Sequence, residues 1–221
     1  MTDAARAPLH SPSFVPLAHP WHGVSPGPEV PDRVTVYVEI VPTDTVKYEV
    51  DKRSGHLWLD RPQKYSALCP SLYGFIPRTL CAERVAAVAA ARAARTNVVG
   101  DGDPIDVCVL TERPINRGGI LVTARPIGGF RMFDAREADD KILAVLEGDP
   151  AFGGFTDVAD CPVSLVERLR HYFLTYKDMP GTATRNAEIT HVYGAAEAKQ
   201  IIGCSLEDYQ QHFGAPEGSV R

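Results

Sequence analysis

The chain has 221 residues, of which 44% are hydrophobic and 23% are charged, a composition typical of a globular protein. Its 23 Lys and Arg against 28 Asp and Glu give a net charge of −5, the wrong sign for a protein that coats nucleic acid. No apolar stretch reaches the roughly 18 residues of a membrane span, and residues 1–12 lack a signal peptide's apolar segment, so we expect a cytoplasmic protein.

The five cysteines lie far apart in the sequence and form no Cys-x-x-Cys pair. They are Cys69, Cys81, Cys108, Cys161 and Cys204. An odd number at such spacings disfavours both structural zinc and a disulfide framework. We therefore expect free, mostly buried thiols, as in a reducing compartment.

At about 150 residues per domain, the length predicts one extended domain rather than two. We divide the chain into a Pro-rich arm at 1–32, a single domain at 33–214 and a tail at 215–221. Seven of the 18 prolines fall within the arm, which predicts irregular backbone there. Inside the arm, the string His19-Pro20-Trp21-His22-Gly23 is better explained by Trp21 packing onto the body than by a pair of histidine metal ligands.

Strands begin at Val34, where apolar and polar residues start to alternate. Six strands are predicted by such runs, at 34–40, 46–50, 57–59, 105–110, 120–124 and 142–146. Turn-forming Gly, Pro and Asp separate several of them. Short strands in this arrangement favour a small closed barrel over alternating strand and helix units.

Three helices are predicted around this β core. An Ala-rich segment at 82–94 is a strong helix former, inside an insertion at about 79–98. Apolar residues at helical spacing predict a second helix over 165–176, with Ser164 and Glu167 as its capping box. A third helix is expected at 195–202, with a possible restart at Ser205.

The segment from Asp101 to Asp106 reads Asp-Gly-Asp-Pro-Ile-Asp and carries three carboxylates in six residues. Two such anions about 4 Å apart repel by about 4 kcal/mol at an effective dielectric of about 20. The charges must therefore be solvated, as in an ordinary acidic turn, or share a hard cation. An EF-hand loop is excluded because its sixth position, which requires Gly, is Asp106.

A second acidic cluster follows at Asp134, Glu137, Asp139 and Asp140, and residues 101–149 together hold 10 of the 28 acidic residues. Oxygen ligands in this number suit Mg²⁺ or Mn²⁺ rather than zinc or copper. Basic and phenolic residues lie beside the predicted strands and helices: Lys47, Arg61, Lys64, Tyr65, Tyr73, Arg131, Tyr176 and Lys177. Each alone is most simply a surface or packing residue, but acids with bases form a composition suited to phosphoryl transfer.

No phosphate-binding loop of the G-x-x-x-x-G-K-[ST] type, G-x-G-x-x-G, H-E-x-x-H or G-x-S-x-G string occurs. No nucleophile and base pair stands out either. Attack by a metal-activated water is therefore favoured over a covalent intermediate.

The string D-G-D-P-I-D-V resembles the signature of the family I soluble inorganic pyrophosphatases. The neighbouring strings agree in order: V-E-I at 38–40, K-Y-E-V-D at 47–51, D-R-P at 60–62, P-S-L-Y-G-F at 70–75, F-R-M-F-D-A-R-E-A-D-D-K at 130–141 and H-Y-F-L-T-Y-K-D at 171–178. The resemblance covers about residues 19–180.

The resemblance implies a mainly β (α+β) fold, a five-stranded OB-like β-barrel flanked by helices. It also implies Mg²⁺-dependent hydrolysis of diphosphate to two phosphates, with several ions in each site and Mn²⁺ as a substitute. The expected partner is the diphosphate substrate, without nucleic acid or membrane, in a homo-oligomer.

Roles are carried over by motif from the same resemblance. Asp103 would be the general base for a water between two metals. The metal ligands would be Asp101, Asp106, Asp139, Asp134 and Glu49. The phosphates would be held by Lys47, Arg61, Tyr73, Lys141, Tyr176 and Lys177, and Glu39 would line the cavity.

Two positions depart from the compact bacterial pattern: Cys69 stands where a Tyr is usual, and Leu72 stands where an Asn is usual. Two other functions stay open from the sequence. One is a metal-dependent phosphatase that acts on larger phosphate esters. The other is a non-enzymatic OB-type module that binds oligonucleotides, although such a module would need a positive groove with aromatic platforms.

Overall fold

The computed structural model describes residues 17–177 and 187–214, in which a sheet closes on itself. In chain order the strands are β1 (Val34–Ile40), β2 (Val46–Val50), β3 (Leu57–Pro62), β4 (Leu72–Phe75), β5 (Val99–Gly100), β6 (Asp106–Leu110), β7 (Ile120–Asp134), β8 (Glu137–Ala138), β9 (Lys141–Leu146) and β10 (Ala187–Gly194). The pairing β1–β4–β6–β9–β7 returns to β1 and forms a five-stranded ring. Within this ring only β6 and β9 run parallel. The predicted fold class is thereby confirmed.

Three α-helices flank the ring in the described part of the chain. They are α1 (Glu83–Ala93), α2 (Val163–Thr175) and α3 (Ala195–Phe213), and a short 3-10 helix (Val158–Asp160) precedes α2. Strands β2 and β3 form a separate two-stranded hairpin, which is not part of the ring ladder. This hairpin and the C-terminal end of α2 both reach the cleft described below.

The interior of the ring follows from the alternation in β1. Val34, Val36 and Val38 are fully buried and pack with Val107 of β6 and Ile201 of α3. A second apolar cluster joins the ring to α2. Complete burial of one such side chain contributes about 1.5 to 3 kcal/mol, so these clusters position both helices firmly.

Strand lengths differ from the predictions where Gly and Pro suggested an end. Strand β7 continues to Asp134, far beyond the predicted end at residue 124, because a register shift between Pro126 and Gly128 accommodates the proline. Strand β4 was not predicted, since it is short and interrupted by Gly74. A Cβ at Gly74 would lie 1.9 Å from the Tyr37 carbonyl oxygen, so only glycine permits the approach of β4 to β1.

The predicted capping box of α2 is wrong. The helix begins after Pro162, and no side chain caps it, which places Ser164 inside the first turn. Glu167 instead faces Arg170 at 3.4 Å, one turn further along. A capping box does occur nearby, at Asp157 and Asp160 around the 3-10 helix.

The predicted restart at Ser205 is also wrong, because α3 runs without a break from Ala195 to Phe213. The Ser205 hydroxyl donates to the Ile202 carbonyl at 2.8 Å, and Asp208 and Tyr209 continue the buried face. Helical periodicity therefore outweighs the local signal of a cap.

The arm packs against the body through Trp21, as the sequence suggested, and this side chain is only 5% exposed. Residues 1–16 of the arm and the tail at 215–221 lie outside the described residues, and the proposed division into arm, domain and tail stays a prediction. All five cysteines are free, and four of them are buried. No described helix has both the length and the hydropathy to cross a membrane.

Candidate active site

A cleft of about 260 Å³ lies beside the ring, bordered by the hairpin and by the end of α2. Eight carboxyl groups line it: Glu39, Glu49, Asp101, Asp103, Asp106, Asp134, Glu137 and Asp139. Four lysines do so as well: Lys47, Lys52, Lys141 and Lys177. Of the predicted site residues, all except Arg61 line this cleft.

Lys141 lies at the centre of the acidic groups. The parallel register of β6 and β9 places it opposite Asp106, and its ammonium group is bound to the carboxylates of Asp106 and Asp139. Burial opposes the charge, but these two carboxylates outweigh it and raise the pKa of Lys141 well above its usual value. A permanent positive charge therefore sits in the floor of the cleft.

The acidic loop that carries Asp101 and Asp103 is held by backbone hydrogen bonds. Cys81 N–H donates to the Asp103 carbonyl at 2.8 Å, and Gly102 N–H donates to the Cys81 carbonyl at 3.0 Å. The Asp101 carboxylate accepts from Asp103 N–H at 2.9 Å. These bonds leave the Asp103 carboxylate, about half exposed, directed into the cleft.

Burial raises the pKa of three carboxyl groups of the cleft, Asp101, Glu39 and Asp139, above its ordinary range. Burial, reinforced by the charge of Asp139, raises the pKa of Asp101 from 3.8 to about 8. Burial also raises the pKa of Glu39 to about 8, although a hydrogen bond from Val50 N–H opposes the change. Each carboxyl is therefore poised to exchange its proton for another positive charge.

The remaining predicted ligands form ion pairs around the rim of the cleft. Lys47 binds Glu49, Lys52 binds Asp103, and Lys177 binds Asp134. Lysine ammonium groups thus lie among the acids, and no three acidic, His or Cys residues of the described chain form a compact metal cluster.

The donors nevertheless fit a hard divalent cation. Mg²⁺ commonly binds through one or two carboxylates, several waters and substrate phosphates rather than through a complete protein cage. Dispersed carboxylates, among them the half-buried Asp101 with its raised pKa, are donors of this kind. The predicted metal ligands Asp101, Asp106, Asp139, Asp134 and Glu49 all line the cleft and could hold such ions.

Tyrosine hydroxyls form another wall of the cleft. Tyr73 projects from β4, and Tyr176 lies at the end of α2, where its ring stacks on Tyr172 with centroids 5.1 Å apart. Burial, together with the nearby Asp106, raises the pKa of Tyr73 well above its usual value. Its hydroxyl therefore stays protonated and can donate a hydrogen bond to an anion.

Asp140 belongs to the predicted acidic cluster, but the structure turns it away from the cleft. Its carboxylate lies 3.0 Å from the Arg131 guanidinium and accepts from the Tyr193 hydroxyl at 3.0 Å, all inside the core. Burial raises the pKa of Asp140 to about 7, against the effect of Arg131. This buried contact anchors the turn on which Asp139 and Lys141 are presented.

The two residues that depart from the compact bacterial pattern, Cys69 and Leu72, are buried. Leu72 belongs to the ring core, where an amide side chain would need a partner. Cys69 packs with Tyr172 and Phe173, and burial raises the pKa of its thiol to about 11. Neither side chain lines the cleft.

Arg61 lies opposite Lys47 in the hairpin, and its guanidinium binds Asp60 outside the cleft lining. Conversely, several lining residues had no predicted site role, among them Lys52, Trp21 and Glu137, the last named only as part of the second acidic cluster. Lys52 could have been found as one more base next to a predicted strand. For Trp21, the sequence indicated packing onto the body as part of the string at 19–23, but it did not indicate a place in the cleft wall.

Replacement of Asp101 by Asn should stabilise the metal-free protein at pH 8. The unfolded chain releases the Asp101 proton near pH 3.8, whereas the folded protein holds it until about pH 8. Between these values the folded state binds more protons, so the contribution of Asp101 to the free energy of unfolding falls as pH rises. Asn removes this loss, so melting temperatures in EDTA should favour the variant at pH 8 and converge toward pH 4.

Asp51→Asn is the matched control. Hydrogen bonds from Ser54 lower the pKa of Asp51, the opposite direction, so this variant should not gain stability at pH 8. An Asp101→Asn protein no more stable than wild type at pH 8 would contradict the buried, neutral state of Asp101.

Comparison with known proteins places these residues in context. The family model described as "Pyrophosphatase: Inorganic pyrophosphatase" matches residues 36–210. An inorganic pyrophosphatase of Chlamydia muridarum is 46% identical over 201 residues, which cover 89% of this chain and 96% of that protein. Soluble inorganic pyrophosphatase 2 of Chlamydomonas reinhardtii is 36% identical over 196 residues, 89% of this chain and 91% of that protein.

Solved structures agree with the sequence comparisons. The inorganic pyrophosphatase from Thermus thermophilus superposes with a TM-score of 0.73 at 27% identity, covering 87% of this chain and 99% of that chain. The type I inorganic pyrophosphatase from Toxoplasma gondii has a TM-score of 0.73 at 26% identity, covering 88% of each chain.

Proposed function

Because this chain belongs to the inorganic pyrophosphatase family, we propose that it hydrolyses diphosphate to two phosphates with bound Mg²⁺ and with Asp103 as the general base. The single observation that carries this proposal is the cleft in which eight carboxyl groups and four lysines meet. Such a lining can bind metal cations and phosphate groups side by side.

The substrate would be held by the positive and phenolic groups of the lining. Lys47, Lys141 and Lys177 supply charge for the phosphate oxygens, while Tyr73 and Tyr176 supply hydroxyl donors. Lys141 is largely removed from water, so its attraction for an anion is little screened. The guanidinium of Arg61 forms an ion pair with Asp60 rather than lining the cleft. Its role as a phosphate ligand therefore stays a prediction.

In the proposed reaction, Asp103 accepts a proton from the attacking water. A water oxygen attacks one phosphorus, its proton passes to the Asp103 carboxylate, and the bond from that phosphorus to the bridging oxygen breaks. The leaving phosphate keeps the electron pair, and the lysines and tyrosines stabilise its charge. The Asp103 backbone accepts from Cys81 N–H and donates to the Asp101 carboxylate, and these bonds hold the loop from which the Asp103 carboxylate projects.

Divalent cations held by Asp101, Asp106, Asp139, Asp134 and Glu49 would lower the pKa of the attacking water and offset charge on the diphosphate. The raised pKa of Asp101 supports this assignment, because its half-buried carboxyl gains a counter-charge when a cation replaces the proton. The choice of Mg²⁺, with Mn²⁺ as a substitute, rests on the all-oxygen donor set.

Phosphate release should be far faster from diphosphate than from nucleoside triphosphates or p-nitrophenyl phosphate at equal Mg²⁺. The charged groups converge in one cleft of about 260 Å³, a size suited to a small anion. A colorimetric phosphate assay at several substrate concentrations measures this preference. Comparable kcat/KM on the esters would favour the phosphatase alternative, and binding of oligonucleotides without hydrolysis would favour the OB-type module.

The homo-oligomeric state and the cytoplasmic location stay predictions from the sequence. The assignment to a longer subfamily, marked by the N-terminal arm and the helical insertion, also stays a prediction.

A further inference from the structure

The arm string at 19–23 has no part in the proposed reaction, yet it borders the cleft. Trp21 is buried among Phe75, Leu80 and Tyr209, and its ring also forms part of the cleft wall. A Pro-rich segment is therefore fixed to the body at the site itself rather than at a distant surface.

His19 joins this segment to the hairpin. Its Nδ1 accepts from Trp21 N–H at 3.1 Å and from His22 N–H at 3.4 Å, so the ring hydrogen is on Nε2. The Nε2–H then donates to the Lys52 carbonyl at 3.2 Å. Gly55 in the hairpin turn allows this contact, because a Cβ there would lie 2.9 Å from the His19 ring.

Trp21 joins the same segment to the acidic loop through residues 78–81. The indole N–H donates to the Thr79 carbonyl at 2.8 Å, and Arg78 N–H donates to the Trp21 carbonyl at 2.8 Å. On the other side, the Thr79 hydroxyl accepts from Ile105 N–H at 3.0 Å. Residues 78–81 are thus hydrogen-bonded both to the arm and to the loop that carries Asp103.

These contacts matter because the hairpin lies outside the ring ladder. Two-stranded sheets are marginally stable alone, and a hydrogen bond from Val50 N–H to the Glu39 carboxylate connects the hairpin to the ring. The hairpin presents Lys47, Glu49 and Lys52, whereas the acidic loop presents Asp103. The proposed reaction requires a fixed distance between the substrate-binding residues of the hairpin and the Asp103 carboxylate.

We infer that His19 and Trp21 form a positioning element of the active site, which fixes the hairpin relative to the acidic loop. This inference rests on the proposed function, because the geometry that it preserves is that of Asp103 against the substrate-binding lysines. Neither side chain takes part in proton transfer.

His22 offers a matched control within the same segment. Its Nδ1 lies 2.8 Å from the Tyr209 hydroxyl on α3, so its side chain faces the helix rather than the hairpin. His19→Asn and His22→Asn make the same chemical change in one segment, but only the first removes a contact with the hairpin. Asn at 19 keeps an oxygen acceptor for the local amides but cannot reach the Lys52 carbonyl.

The experiment measures kcat for diphosphate at saturating substrate and Mg²⁺, well below the melting temperature of each protein. His19→Asn should lower kcat about tenfold, the order expected for a misplacement of less than 1 Å. His22→Asn should lower the melting temperature and leave kcat unchanged. Trp21→Phe keeps the ring but loses the bond to Thr79, and it should also lower kcat several-fold, which decides the matter if His19→Asn does not fold.

Wild-type kcat for both His19→Asn and Trp21→Phe would overturn the inference, as would an equal loss in His22→Asn. A wild-type protein that does not hydrolyse diphosphate would instead refute the proposed function. The two failures are therefore distinguishable.

Discussion

Replacement of Asp103 by Asn should lower kcat for diphosphate by more than about a hundredfold, the usual scale for loss of a general base. The amide has nearly the same shape as the carboxylate but cannot accept the proton of the attacking water. The bonds from Cys81 N–H and to Asp101 involve the backbone of residue 103 and survive the change, and only the exposed ion pair with Lys52 is lost. The loss should therefore be chemical rather than structural.

Steady-state phosphate release at saturating diphosphate and Mg²⁺ tests this, together with a thermal melt. Asp32→Asn is the control, since Asp32 is an exposed carboxylate paired with Lys199 at 2.5 Å and lies outside the cleft lining. It should retain wild-type kcat. Retention of more than a tenth of the activity in a folded Asp103→Asn protein would show that another group accepts the proton.

The acidic loop could be predicted because its chemistry is contiguous. Asp101, Asp103 and Asp106 fall within six residues, so their proximity needs no knowledge of the fold. The contact of Lys141 with Asp106 is different, because it depends on the parallel register of two strands far apart in sequence. Composition indicated bases near acids, and only the family resemblance indicated which ones.

The hairpin shows why the sequence alone does not predict which of its residues line the cleft. Alternation predicts that Lys47 and Glu49 share a face, and both line the cleft. It does not predict the register shift between Lys47 and Tyr48 or the docking of the arm on Gly55. In the folded hairpin Lys52 lines the cleft and Arg61 does not, a difference that alternation alone does not predict.

Local signals of termination were overridden in a similar way by packing. Pro126 and Gly128 predict an end to β7, yet the strand passes through them because a register shift absorbs the missing donor. Ser205 resembles a new helix start, yet its hydroxyl bonds back to Ile202 inside a continuous helix. Propensity is a weak prior where a buried face continues on both sides.

Removal of divalent cations with EDTA should reduce hydrolysis of diphosphate to background without unfolding the protein. Eight carboxyl groups and four lysines line the cleft. Asp101 and Glu39, whose pKa values are both about 8, are largely neutral near pH 7, but six carboxyl groups still remain for four ammonium groups. A strongly anionic substrate should not bind such a surface unaided.

The fold should persist in EDTA because each central acid already has a partner. Lys141 holds Asp106 and Asp139 together, and Lys177 holds Asp134. Circular dichroism should therefore be unchanged, whereas calorimetry should detect no diphosphate binding until Mg²⁺ exceeds the chelator. Hydrolysis at the normal rate in EDTA would mean that the lysines alone activate the substrate.

The Mg²⁺ concentration for half-maximal activity should also fall as pH rises from 6 to 8. Asp101 must release its proton before its carboxylate can bind a cation, and its pKa of about 8 makes that release costly at lower pH. Proton release on Mg²⁺ addition, measured in weakly buffered solution, should be greatest below pH 8 and reduced in Asp101→Asn. A Mg²⁺ requirement independent of pH would exclude Asp101 as a ligand, because a carboxyl with a pKa of about 8 must lose its proton in this range to bind a cation.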